Sequence, residues 1–391
     1  MELVRLRLPL RIEWVTAAGR YSHRDVLLVR AVIGAAEGWG ECVAQSEPTY
    51  TAEYVESAMD VLSRHLIPRI LAADLTRSAP DPAQGPGWAG GDGPSAPALA
   101  AVKGHPMAKA ALEMALLDAH LKIAGRPLAS HLGAVARPPA DGPPPATVVA
   151  GVAVGVSDNA EALLEEVDRF VAAGYRRVKL KIHPGWDEEP VAAVRARWSA
   201  GQLMVQVDAN GSYAGRRDPV SVLTRLDTYD LLLVEQPLGD DDLLGHAALA
   251  ARLATPLCLD ESITSAAVAA TALAVGACRV INIKPGRVGG LLEAVRIHDL
   301  CRSAGIPVWC GGMLETGVGR AANLALASLP GFVLPGDLSA ADRFWSDDIV
   351  TAPARLNPDG TIPVPSGPGL GVELRDDLGA AVVSRRWFPA P

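Results

Sequence analysis

Cysteine is scarce in this chain. Cys42, Cys258, Cys278, Cys301 and Cys310 form no Cys-x-x-Cys pair and leave one residue over, which argues against a disulfide framework or a zinc knuckle. They read as small buried residues of a protein kept in a reducing cytoplasm. Long apolar runs are missing too. No stretch reaches the roughly 18 apolar residues of a membrane span, and Arg5, Arg7 and Arg11 interrupt the start of the chain, so neither a membrane segment nor a signal peptide is expected. Lysines and arginines form no block, and a formal net charge of -8 repels phosphate backbones, so nucleic acid is not an expected partner.

What is present is ordinary globular material: 391 residues, 49% hydrophobic and 20% charged. That length exceeds what one core usually fills, so a large domain with a smaller companion is expected. Between positions 6 and 14 apolar residues hold the even places while Arg5, Arg7, Pro9, Arg11 and Glu13 hold the odd ones. This is the period of a half-buried strand, with Pro9 suggesting an edge. Strand-like runs follow at 25–33 and 39–43. In HPMAKAALEMALLDAHLKIAG, Ala108, Ala111, Leu112, Ala115, Leu116 and Ala119 recur three and four apart, predicting an amphipathic helix between Pro106 and Gly125. Strands first and a helix afterwards indicate an α+β domain over residues 1–135. Within it, residues 76–98 are dense in Gly, Pro, Asp and Ala and read as a mobile surface loop.

A Pro-rich stretch at 136–146 marks a boundary, after which the apolar runs become continuous: 148–156, 178–182, 204–207, 231–234, 257–259, 280–283, 308–309 and 332–334. Segments of helical character follow most of them. The polar residues that end these runs step from Lys181 through Asp208, Glu235, Glu261, Lys284, Gly311 and Asp337 at intervals of 27, 27, 26, 23, 27 and 26, one β/α unit per step. The expected fold class is therefore α/β. A (β/α)7-8 TIM-like barrel over 147–341 carries the N-terminal α+β domain as a cap, and residues 342–391 return to that cap, with PSGPGLGVEL reading as a turn and a strand.

In such a barrel the C-terminal ends of the strands share one mouth. Here they carry Lys179 and Lys181 in VKLKI, Asp208 in VDAN, Glu235 in VEQP, Asp260 and Glu261 in LDES, and Lys284 in NIKP. Desolvating an ion costs several kcal/mol, so three carboxylates converging there require a cation. Asp208, Glu235 and Asp260 offer only oxygen, which favours Mg2+ over zinc, with Mn2+ or Co2+ as substitutes. Glu261 and Asn210 stand beside the site. Lys179 and Lys181, two apart on one strand, face the same way. Their mutual repulsion, the cation and partial burial are expected to lower a lysine pKa from about 10.4 toward about 7 to 8, and Lys181, nearer the strand end, is the candidate general base. Lys284 leaves the barrel four strands later, across the mouth, where it reaches the opposite face of a bound substrate. One lysine on each face, with a Lewis acid stabilising a carboxylate as its α-proton leaves, permits proton exchange with inversion.

At these residues the chain resembles the enolase superfamily, of the muconate-lactonizing-enzyme type with a Lys-x-Lys motif. A lysine base working with magnesium is already known for that superfamily. The similarity runs over nearly the whole chain, through GWGECV, KGHPMAKAALEMALLDAHLK, VKLKI, VDANGSY, EQPL, LDESI, INIKPGRVGG, GGMLETGVGRAANLALASLP and LPGDLSA. Within the superfamily, KGHPMAKAALEMALLDA, KPGRVGG and GGMLETGVGRAANLALASLP are most similar to the N-acylamino acid racemases, also called N-succinylamino acid racemases, which belong with the o-succinylbenzoate synthases. The resemblance implies Lys181 and Lys284 as the two acid/base lysines and Asp208, Glu235 and Asp260 as ligands of Mg2+. It implies that Lys179 holds the substrate carboxylate and tunes Lys181, that Arg287 modulates Lys284, and that Gly311, Gly312 and Met313 line the acyl side. It further implies cap loops at 16–24 and 44–50 that close over a small-molecule substrate, with Ala18 standing where several relatives carry an aromatic residue, and a homo-oligomer.

The same residues would serve an o-succinylbenzoate synthase of menaquinone biosynthesis if Lys181 both takes the α-proton and helps a hydroxyl leave from the same face, with Lys284 stabilising the enolate. A dipeptide epimerase fits less well, because the last strand ends in LPGD without an Asp-x-Asp pair for a substrate ammonium. Two readings from other classes stand beside these. A Schiff-base aldolase would place a lysine in a barrel without needing three aligned carboxylates, and a non-catalytic barrel would show neither activity nor metal dependence.

Overall fold

The computed structural model describes residues 1–16, 19–73, 99–216 and 219–389. The loop expected over 76–98 and Ala18 both lie outside the described residues. The N-terminal part is an antiparallel sheet built from β1 (Glu2–Thr16), β2 (Gly19–Ile33) and β3 (Ala36–Cys42). Leu6 and Leu8 are buried while Arg7 is exposed, as the period-two pattern requires. Of the loop expected over 16–24, Thr16 and residues 19–24 are strand. These described residues belong to the paired arms of β1 and β2, where Trp14 pairs with Tyr21, Val15 with Arg20 and Thr16 with Gly19. Aromatic and β-branched residue types carry the strand preference past the point where a loop was expected. The last strand of the chain, Val382–Trp387, adds to the free side of β1 over Glu2–Leu6 only. Beyond Leu6 that side of β1 has no strand partner among the described residues, and Pro9, which has no N–H to donate, falls there.

The helix Pro106–Ile123 lies against β3 and is buried on nearly every side, from Met107 through Leu121 with Lys109 the single partly exposed position. An amphipathic helix was expected; the helix is instead sandwiched. Its alanines let the sheet approach so closely that a Cβ on Gly40 would stand 1.9 Å from the Ala111 carbonyl oxygen, and one on Gly38 2.1 Å from that of Ala115. Asp118, on the same helix, accepts from the backbone N–H groups of Trp39 (2.9 Å) and Leu370 (2.7 Å), tying the sheet and the C-terminal segment to one carboxylate.

After the Pro-rich boundary, β4 (Thr147–Val149) forms an antiparallel ribbon with β12 (Thr361–Pro363). The expected strand 148–156 is thus split, and only its second part, β5 (Val152–Val154), enters the barrel sheet. Six further parallel strands follow in order: β6 (Arg177–Lys181), β7 (Met204–Asp208), β8 (Val234–Glu235), β9 (Leu257–Leu259), β10 (Val280–Ile283) and β11 (Val308–Cys310). Helices alternate with them, several started by side chains that accept a backbone N–H, such as Asn159, Asp242, Ser265 and Thr316. The expected eighth strand at 332–334 is reduced to a single parallel bridge of Phe332 to Val308, because Phe332 N and Val333 N donate locally to Leu329 O and Gly331 O. The segment still closes the ring. Asp337 N donates to Cys310 O at 2.9 Å, and Gly151 N donates to Gly336 O at 2.7 Å. PSGPGLGVEL likewise forms no strand, since Gly369 and Gly371 have φ of 67° and 70°; Leu374 makes a single bridge to Val350. The strand that completes the cap, β13 (Val382–Trp387), comes later.

Two buried carboxylates of the cap seat it on the barrel. Glu41, on β3, accepts from Thr316 N, Thr316 Oγ1 and Gly319 N at the start of the helix Gly317–Ala327. Glu113 accepts from Leu292 N at the start of the helix Leu291–Ser303. Both sit at helix N-termini, which favour negative charge. Burial nevertheless pushes each carboxyl up to about 7.

A folded-state pKa above the unfolded value means that the fold favours the protonated acid. Stability from these groups is therefore full below about pH 4.5 and is lost as pH rises through about 7. His131, whose pKa burial lowers to about 4, works in the opposite direction over that window, so a difference measurement is required. Relative to Glu113→Gln, the wild type should lose up to about 3 kcal/mol of unfolding free energy between those pH values, read by urea denaturation. A pH-independent difference would contradict it. Separately, Gly40→Ala should cost about 1–3 kcal/mol or more, because the helix backbone cannot yield to the added methyl.

Candidate active site

Alternation along the barrel strands determines which side chains meet. On β6, Arg177, Lys179 and Lys181 share a face. Gln206 and Asp208 do so on β7, and Asn282 and Lys284 on and just after β10. Lys181, Asp208 and Glu235 are the last residues of their strands, and Asp260 and Lys284 stand one position beyond theirs. Lys181 and Lys284 follow strands four apart in the sheet order, and both line one cavity of about 400 Å³. A larger open depression of about 730 Å³ over residues 33–39, Lys122 and Ile123 holds no comparable cluster.

Lys179 Nζ lies 3.0 Å from Asp208 Oδ2, 3.1 Å from Glu235 Oε2 and 2.6 Å from Asp337 Oδ2. Lys181 Nζ lies 2.6 Å from the same Asp208 oxygen and donates to Asn210 Oδ1 at 2.5 Å. Asn210, in the left-handed region at φ 42°, passes its amide to Glu261 Oε1 at 2.7 Å. Across the sheet, Lys284 Nζ lies 2.7 Å from Asp260 Oδ2 and 3.1 Å from the Tyr50 hydroxyl, while Arg287 pairs with Asp260 Oδ1. Tyr50, from the cap segment 44–50, donates to Asp260 Oδ1 at 3.1 Å. Asn282 donates to Glu235 Oε1 at 2.8 Å, and Gln236 Oε1 accepts from Asp260 N at 3.0 Å.

Repulsion between Lys179 and Lys181 does not govern this arrangement, because Asp208 Oδ2 lies within 3.0 Å of both. Burial opposes the charge on Lys179, but Asp208, Asp337 and Glu235 outweigh it and raise its pKa well above the ordinary lysine value. Lys284 is raised in the same way, with Asp260 outweighing burial. For Lys179 the shift thus runs against the lowering expected for the Lys179–Lys181 pair. The carboxylates divide. Asp208 and Asp260 are held below the usual range because their cations outweigh burial, whereas burial and then Asp208 push Glu235 well above it. Glu261 is pushed up to about 7 by burial and then by Asp260.

Met313 and Gly312 line the cavity, beside Leu314 and Phe344. Gly311, expected with them, does a different job: a Cβ there would stand 2.5 Å from Lys284 Cε and 2.4 Å from Asn282 Oδ1, so its bareness makes room for the lysine. Sequence reading gives no role in the site to Arg177, Asn282 or Asp337, and reaches Tyr50 only as the end of the expected cap loop 44–50. Arg177 and Asn282 were within reach, each two residues before a lysine already singled out.

The buried donors at the mouth, Asp208, Glu235, Asp260 and Glu261, are all oxygen, and Glu261 Oε2 is buried without a hydrogen-bond partner. That chemistry fits a hard divalent ion. Among the described residues, however, no three His, Cys, Asp or Glu side chains converge as a ready-made cage. Lys179, Lys284 and Arg287 draw the carboxylates onto themselves, and an ion would have to compete with them.

A family model described as "Enolase C-terminal domain-like" matches residues 162–378. The chain is 51% identical to an N-succinylamino acid racemase of Amycolatopsis over 98% of both chains. It is 41% identical to an o-succinylbenzoate synthase of Geobacillus kaustophilus, over 94% of this chain and 91% of that one. A solved structure of an enolase-superfamily member from Listeria innocua superposes with a TM-score of 0.85 at 38% identity, over 98% of this chain and 97% of that one. Among the described residues no helix is long and apolar enough to cross a membrane.

Competition between an ion and the lysines can be measured directly. Adding Mg2+ should raise the thermal midpoint, with stabilisation growing to about 2.7 kcal/mol at a hundredfold excess over Kd. Glu235→Gln should remove most of that rise. A wild-type midpoint indifferent to Mg2+ would sink the ion-binding reading.

Proposed function

The chain belongs to the enolase superfamily, among relatives that are racemases and o-succinylbenzoate synthases, and we propose that it is an N-acylamino acid racemase acting on N-succinylamino acids. The observation that carries this reading is the pair Lys181 and Lys284, two amines from strands four apart facing one cavity. A dipeptide epimerase of Cytophaga hutchinsonii with the same fold is complexed with Mg. Asp208, Glu235 and Asp260 would hold the ion here, which as a Lewis acid stabilises charge developing on a substrate carboxylate.

In the proposed reaction one lysine takes the α-proton from one face and the other delivers a proton to the opposite face. Lys284 acts as base only after its ion pair with Asp260, which favours its charged form, is loosened, while Lys181 stands paired with Asp208. The charged partner is then the acid. Lys179 grips the substrate carboxylate, and Arg287, beside Asp260, sets the charge around Lys284. The Tyr50 hydroxyl, which reaches both Lys284 and Asp260, closes the cap side. Gly312 and Met313 face the acyl group. The second reading is o-succinylbenzoate synthase, favoured by the relatives of that name. It needs chemistry on one face only, with Lys181 as base and then acid, and Lys284 stabilising the enolate.

Incubation with Mg2+ in deuterated water, offering N-succinyl and N-acetyl amino acids of each hand, tests the proposal. Deuterium entering the α-position with loss of optical activity is expected. Lys181→Ala should abolish exchange from one enantiomer and Lys284→Ala from the other. Equal partial losses would contradict two-face chemistry, and turnover of the menaquinone precursor alone would favour the synthase. Gly311→Ala, by displacing Lys284, should lower kcat about 100-fold with a smaller change in KM.

A further inference from the structure

Asp337, a carboxylate outside the proposed ion-binding set, reaches the mouth. Asp337 Oδ2 lies 2.6 Å from Lys179 Nζ, closer than either Asp208 or Glu235. Its other oxygen accepts from Arg177 at 2.5 Å. Arg177 is fully buried and has no room to swing. Its Nε and Nη2 donate to the Pro335 carbonyl at 3.2 and 2.6 Å, and its guanidinium lies 5.2 Å from the centre of the Trp309 ring. A Cβ on Gly151 would stand 2.4 Å from its Cζ. Lys179 Nζ lies 5.1 Å from the centre of the same Trp309 ring. Arg177, Trp309 and the ring-closing backbone therefore fix Asp337 in place, and Asp337 reaches Lys179.

We infer that Asp337 is a positioning residue: clamped by Arg177, its carboxylate keeps Lys179 aimed into the mouth. The inference rests on the racemase or synthase reading. Of the three carboxylates that hold Lys179, Asp208 and Glu235 are those proposed for the ion, and an oxygen shared with a divalent cation holds an ammonium less strongly. Asp337 is not shared. It is the partner that remains to Lys179 in the working enzyme, and it draws the lysine away from the two carboxylates that the ion needs. Without Asp337 the ammonium turns to Asp208 and Glu235, where it competes with the ion and leaves the substrate carboxylate.

A double-mutant cycle on Asp337→Asn, Lys179→Ala and the combined variant tests this, with kcat and KM for α-deuterium exchange and Mg2+ affinity by calorimetry as the two readouts. Asparagine at 337 can still accept from Arg177, so the fold is kept. Asp337→Asn should lower kcat/KM about 10-fold to 100-fold, mainly through KM, and weaken Mg2+ binding about 10-fold. In the Lys179→Ala background it should do neither. A loss in either quantity that persists without Lys179 would overturn the inference, since a structural post or a direct contact with ion or substrate does not depend on the lysine. So would Asp337→Asn within about twofold of the wild type in both quantities. Asp337→Glu, which keeps the charge but moves it by one methylene, serves if the asparagine variant does not fold, and is held to the same outcomes. A wild type inactive on every substrate offered would refute the functional reading instead, and the Mg2+ measurement would still decide the role of Asp337.

Discussion

Buried charges must neutralise one another, and the mouth of this barrel is organised by that requirement. Lys179 gathers three carboxylates, two from the ends of β7 and β8 and one from the segment that closes the ring, Lys284 and Arg287 share Asp260, and Lys181 leans on Asp208 and Asn210. Uncharged neighbours serve the same end. Asn282 satisfies Glu235, Gln236 holds the backbone at Asp260, and Gly311 leaves Lys284 the volume it needs. The same network explains why the proposed chemistry suits the site. A lysine that is charged at rest through a carboxylate becomes a base when that carboxylate is engaged elsewhere, so base strength is set by how partners are distributed and not by an isolated pKa.

The cap contributes through two kinds of contact. Glu41 and Glu113 fasten it to the N-termini of barrel helices, where helix dipole and burial act on the carboxyl in opposite senses. Tyr50 reaches over the mouth to Asp260 and Lys284. Close packing of the glycines of β3 on the helix Pro106–Ile123 keeps the cap compact enough for both contacts to hold together. The cap is thus a wall of the cavity as well as a support for the sheet.

Much of this was legible in the chain itself, because strand periodicity and the spacing of polar strand ends are local properties. The step of 23 to 27 residues from Lys181 to Asp337 announced a ring of β/α units, and the charged residues at those steps are the ones that meet. Other features were misread for physical reasons. Residues 16–24 look polar enough for a loop, yet cross-strand pairing reaches Thr16 on one strand and Gly19 on the other. The run at 332–334 looks like a strand, yet Phe332 and Val333 spend their N–H groups on local carbonyls and only Phe332 bridges to the sheet. The alternation in the helix Pro106–Ile123 predicts one wet face, but a sheet on one side and a barrel on the other bury it all round.

Residue types and their order thus determined the α/β class, the strand ends and the oxygen-only donor set, since these depend on backbone geometry and side-chain chemistry alone. Which cation holds which carboxylate was decided only by tertiary structure. Lys179, Asp208, Glu235 and Asp337 are separated by up to 158 positions in the chain, and electrostatic pairing acts over a few ångströms of space, so no local pattern encodes it. The direction of the lysine pKa shifts follows from that pairing, which is why two ammonium groups expected to repel are found held by a shared carboxylate oxygen.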